Sequence, residues 1–127
     1  YVGNYYGTPK KAVTDMLEAG KDVILKIEIE GAANVKKMFP DCTMVFILPP
    51  SFAELDRRLH KRGTETDDVI AKRLDTARRE LKFAENYDYL VTNAALEDAV
   101  DDFLAVVRAE KCRRENRPGV IEELLSE

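Results

Sequence analysis

Histidine occurs once in these 127 residues and cysteine twice, which leaves little for metal or thiol chemistry. Cys42 and Cys112 lie far apart, without the paired spacing of a metal-ligand set or a disulfide framework, and read as reduced structural residues. No apolar run is long enough to span a bilayer, no segment has the build of a signal peptide, and repeats and low-complexity tracts are missing. Basic excess is lacking as well: 20 Lys and Arg stand against 24 Asp and Glu, a net charge of -4. With a pI near 5.2 and no aromatic interleaving of its basic residues, the chain does not read as a nucleic-acid module. What is present, 45% hydrophobic and 35% charged residues, fits one soluble globular unit in the cytoplasm with no membrane partner.

Against this acidic background, Arg58, Arg62 and Arg73 bracket a Gly63-Thr64 turn between two amphipathic helices. Pro49-Pro50 halts a strand, and Ser51-Phe52-Ala53-Glu54 then has the S-x-x-E form of a capping box. Arg58 and Arg62 are four residues apart, so both project from one helix face, offset from the face that Leu55 and Leu59 bury. Past Gly63, Thr64 and Thr66 are alternative N-caps. Ile70, Leu74, Ala77, Leu81 and Ala84 then hold a helical period. Arg73 lies beside that apolar stripe, where it can turn toward a cleft, while Lys72, Arg79 and Lys82 face water. Planar guanidinium forks suit phosphate oxygens and never lose their charge at working pH. The plain alternative is a solvated helix face paired with Asp and Glu.

The rest of the chain alternates strands and helices. Gly3-Asn4-Tyr5-Tyr6-Gly7-Thr8-Pro9 has the composition of a binding loop at a helix entry, with Thr8 as N-cap and Pro9 at the first helical position. The helix runs to about Ala19, turns Val13, Met16 and Leu17 inward, and ends at Gly20. Val23 to Ile29 reads as a buried strand with Glu28 at its polar carboxyl end, where α/β proteins collect ligands. A helix from Gly31 to Met38, strands at Thr43 to Leu48 and Tyr89 to Thr92, and a long helix from Leu96 follow. That order implies βαβ units and a parallel sheet. The tail, 118–127, carries Val120, Ile121, Leu124 and Leu125 on a short amphipathic turn. His60 is expected to face solvent.

GNYYGTP, the strand ending in I-x-G, FILPPS and R-x-x-x-R-G-T-E-T, in this order and spacing, resemble the guanylate kinase family from Tyr1 to about Arg117. The resemblance implies an α/β P-loop nucleoside monophosphate kinase-like fold, a parallel sheet with helices on both faces, and the reaction of ATP with GMP to give ADP and GDP. It implies the end of a GMP-binding subdomain at 1–11, core at 12–52 and 78–117, and a lid at 53–77. Tyr6 and Thr8 match residues that hold the GMP phosphate and guanine, and Glu28 an acidic residue facing the guanine. Arg58 and Arg62 match lid arginines that reach ATP phosphates, Arg73 the arginine bridging donor and acceptor phosphates, and Asn93 a residue near adenine. Magnesium would be held mostly by the nucleotide phosphates and the phosphate-binding loop. No metal ligand is expected among these residues.

Lys26 and Glu30 depart from the acidic residue and Gln expected around Glu28. More consequentially, no G-x-x-x-x-G-K-[ST] occurs: Gly20-Lys21 is followed by Asp22, and Asp15 stands where the first glycine belongs. In the family that cradle lies on a first, central strand upstream of these residues, so the chain reads as a C-terminal portion with an incomplete sheet. By itself it is expected to be inactive, because phosphoryl transfer depends on positioning. It is also expected to self-associate through an exposed sheet edge. The related family of guanylate-kinase-like protein-binding modules is the alternative, and the three arginines argue against it.

Overall fold

The computed structural model describes residues 10–127; Tyr6 and Thr8 lie outside them. The backbone divides into two compact units, Tyr1–Cys42 and Thr43–Glu127.

In the first unit, α1 (Lys10–Glu18) and α2 (Ile29–Met38) are each an amphipathic turn series around one buried valine, Val13 and Val35. Gly20 closes α1 with a positive φ of 80°. There Lys21 N–H reaches the Met16 carbonyl and Gly20 N–H that of Leu17, the paired bonds of a Schellman end. Met16 and Leu17, expected to point inward, are 39% and 47% exposed. A second expectation fails outright. Residues 23–28 form no strand, and α2 starts at Ile29, two residues before Gly31, with Glu28 as an extended N-cap. An apolar run specifies the wish for burial, but a strand needs a neighbouring backbone to take its N–H and C=O groups. Among the described residues this run has none, and Ile24 is left 66% exposed.

The second unit is built on two parallel strands, β1 (Val45–Leu48) and β2 (Tyr89–Thr92), paired from Val45↔Tyr89 to Leu48↔Thr92. Register is pinned at the start by Asp88, whose carboxylate accepts from Met44 N–H at 2.8 Å. At the other end Asn93 N–H donates to the Leu48 carbonyl at 2.7 Å. Between the strands run α3 (Phe52–Arg62), α4 (Asp67–Leu81) and a 3-10 turn, Lys82–Asn86; after β2 come α5 (Leu96–Cys112) and α6 (Val120–Leu125). Helices α3 and α4 pack on each other and α5 packs on β2. Ile70, Val91 and Ala99 are the buried centre. The expected lid, 53–77, falls within this α3–α4 hairpin.

Local chemistry explains the hairpin. Ser51 Oγ accepts from Glu54 N–H at 3.0 Å and so starts α3. Gly63, at φ 65°, ends it in the left-handed conformation. Of the two candidate caps for α4, Thr66 is used, its hydroxyl accepting from Val69 N–H. The α4 stripe buries Ile70 and half-buries Leu74 and Ala77, and its last member, Ala84, falls in the 3-10 turn. On α5, by contrast, Leu96, Val100 and Leu104 are 72%, 47% and 42% exposed, although their spacing matches a buried face. Tail residues Ile121, Leu124 and Leu125 are exposed too.

Candidate functional site

Parallel sheets gather ligands at the carboxyl ends of their strands, and a cavity of about 290 Å³ opens there in the second unit. It is lined by Phe46, Leu48, Pro49, Leu55, Arg58 and Asn93 among others. The proline pair ends β1, and α3 then rises beside the opening, so the cap at Ser51 sets where Arg58 falls along its rim.

The three arginines of the hairpin differ in what holds them. Arg58 donates from Nη1 to the Asn93 carbonyl at 2.8 Å, from Nη2 to the Ala94 carbonyl at 2.9 Å and from Nε to Glu54 Oε1 at 3.0 Å. Arg73 pairs with Glu65 at 2.5 Å, with its own side chain 52% exposed. Arg62, at the last position of α3, is exposed and makes no hydrogen bond or ion pair with any described residue. Magnitudes separate these cases. Arg73 makes one ion pair, to a Glu65 carboxylate that is itself 19% exposed, so exchanging Glu65 for a phosphate breaks a single contact. Hydrogen bonds from a charged donor are worth about 1.5–3 kcal/mol each, and Arg58 would have to release several.

Glu54 organises this end of α3. Arg57 grips it at 2.9 and 2.6 Å and Arg58 at 3.0 Å. The Arg57 hydrogen bond first, then that of Arg58, holds its carboxyl down at about 2, against the opposing effect of burial. A capping box would send this carboxylate back to the Ser51 amide; here it turns to the arginines instead. Across the hairpin, the Arg78 guanidinium lies 4.1 Å above the Phe52 ring centre, a cation–π contact that the sequence pattern did not reveal.

His60 is half exposed, as expected for the solvent side, but its ring is shared. Nδ1 is 2.7 Å from Asp56 Oδ1 and 2.9 Å from the Asp56 carbonyl, and Nε2 is 3.3 Å from Asp67 Oδ1 on α4. Contact with the Asp56 carbonyl, then the charges of Asp56 and Asp67, raise its pKa above 6.5, with burial opposing. Asn93 does not cap α5: that place belongs to Ala95, which offers no side-chain bond. Neither Cys42 nor Cys112 is in a disulfide. Glu28 lies in the other unit, at the start of α2. Among the described residues no three Asp, Glu, His or Cys side chains gather to hold a metal ion.

Two parallel strands joined through a helical hairpin that sets Arg58, though neither Arg62 nor Arg73, in the cavity at their carboxyl ends form an α/β protein of the nucleoside monophosphate kinase type. The guanylate kinase family model matches residues 1–110, and the chain belongs to that family. It is 51% identical over 122 residues to a guanylate kinase of Desulfitobacterium hafniense, covering 96% of this chain and 61% of that protein. It is 50% identical over 115 residues to one of Halalkalibacterium halodurans, covering 91% and 56%. The crystal structure of guanylate kinase from Anaplasma phagocytophilum superposes with a TM-score of 0.74 at 30% identity, over 91% of this chain and 55% of that one. The chain thus spans little more than half the length of the relatives it matches.

Proposed function

We propose that this chain contributes the lid and part of the substrate site of a cytoplasmic guanylate kinase, which moves the terminal phosphoryl group of ATP to GMP. A GMP phosphate oxygen attacks the γ-phosphorus, the bond from that phosphorus to the β,γ-bridging oxygen breaks, and ADP leaves with the electron pair. The attacking oxygen is already ionised, so no general base is required. Arg62 and Arg73 neutralise charge on the transferring oxygens. Tyr6, Thr8 and Glu28 hold GMP, and Asn93 lies near the adenine. By resemblance Arg58 joins the phosphate-binding arginines.

The observation that carries this reading is the hairpin itself, in which Arg62 is unengaged by described residues and Arg73 is held by a single ion pair. A pure protein-binding module has no use for such poised guanidiniums. No G-x-x-x-x-G-K-[ST] cradle occurs in these 127 residues, and by themselves they are expected to give no turnover. The test is ADP release by the full-length protein with ATP and each of GMP, AMP and UMP. GMP-dependent release is expected; no release with any of the three would assign the chain to the binding modules.

A further inference from the structure

The loop from Asn93 to Ala95 joins β2 to α5 and borders the strand-end cavity. Its local support is slight. The last ladder bond is Asn93 N–H to Leu48 carbonyl, and α5 has no side-chain cap. The two carbonyls facing α3, those of Asn93 and Ala94, accept from one guanidinium that arrives from 35 and 36 residues earlier in the chain. Arg58 is itself aimed by Glu54 through Nε, and its side chain is 33% exposed. A fork whose two terminal nitrogens take adjacent carbonyls is a geometry that Lys cannot reproduce with a single point charge.

We propose that Arg58 is a positioning residue, which ties the first lid helix to the Asn93–Ala94 loop and thereby places Asn93 at the cavity, and that it is not a ligand of the transferring phosphate. The inference revises one role within the guanylate kinase reading and rests on that reading for its kinetic arm alone. Arg58 and Arg62 stand four residues apart on one helix yet serve different ends: one is fastened to main chain, the other is open to an anion.

The experiment compares Arg58→Ala, Arg58→Lys and Arg62→Ala in the full-length protein by amide hydrogen exchange without nucleotide and by steady-state kinetics. Arg58→Ala should speed exchange at Asn93 and Ala99, the hydrogen-bonded amides that flank the loop, by roughly ten- to a hundredfold, the loss of charge-assisted bonds, and Arg58→Lys should restore only part of the protection. In kinetics Arg58→Ala should raise the KM for ATP more than it lowers kcat, whereas Arg62→Ala should lower kcat and leave exchange at Asn93 and Ala99 unchanged. Unchanged exchange in Arg58→Ala overturns the tether. A kcat loss matching that of Arg62→Ala, with KM unmoved, makes Arg58 a phosphate ligand after all. If the wild-type protein transfers no phosphate, the kinase reading falls and the exchange result still judges the tether.

Discussion

Arg73 shows how a single side chain can be tested apart from the fold. Its one ion pair joins a half-exposed guanidinium to a Glu65 carboxylate that is 19% exposed, so Arg73→Ala leaves that carboxylate without its partner and urea unfolding is measured beside the kinetics to separate stability from turnover. If its donors meet charge that develops in the transition state, Arg73→Ala in the full-length enzyme should lower kcat by a factor on the order of a hundred or more, with KM little changed. Steady-state kinetics with GMP varied at saturating ATP read this directly, and undiminished turnover removes Arg73 from the mechanism. The residue types at this site were legible in the sequence, because Arg at four-residue spacing before Gly63 is a local pattern. Their partners were not. Arg58 rests on main-chain carbonyls 35 and 36 residues away, and a carbonyl carries no residue identity for a sequence to display.

At the scale of elements, the α3–α4 hairpin is held at its turn by His60, which Asp56 approaches from α3 and Asp67 from α4. The pKa of His60 is raised in the folded chain, so its contribution is present in full below the unfolded value of about 6.5 and is lost as pH rises through the folded value. Because it is the single histidine, its NMR titration is unambiguous. A midpoint above 6.5 is expected, moved down by Asp67→Asn, with faster amide exchange at 63–67 once His60 is neutral. A midpoint at or below 6.5 would mean that the two carboxylates do not hold the ring. Gly63 offers a second test. At φ 65°, with open space where a Cβ would lie, Gly63→Ala meets no clash, yet it should cost about 1 kcal/mol from backbone strain alone, measured by urea unfolding. Caps and turns of this kind were readable because their signals are local. The 23–29 segment was misread for the opposite reason: its apolar run is indistinguishable from a strand until pairing is known.

For the whole molecule the consequence lies in uncovered apolar surface. Ile47 and Leu90 on the strands are 49% and 58% exposed, alongside Leu96, Val100 and Leu104 on α5, and each strand of the two-stranded sheet has one edge unpaired among the described residues. Such edges and patches seek partners. The 127-residue chain should therefore sediment with a concentration-dependent mass, and Leu90→Lys should shift it toward monomer; a single monomeric species at all concentrations would sink this expectation. Taken by itself, the sequence determined the family, the helix ends at Gly20, Ser51 and Gly63 and the identity of the cationic side chains, since caps, glycine stops and motif spacing act over a few bonds. Tertiary structure alone decided that 23–28 is no strand, that Arg58 serves main chain while Arg62 stays open, and that His60 bridges two helices. Those outcomes depend on which distant backbone or carboxylate comes within about 3 Å, the range over which a hydrogen bond acts, and only the folded chain brings such groups together.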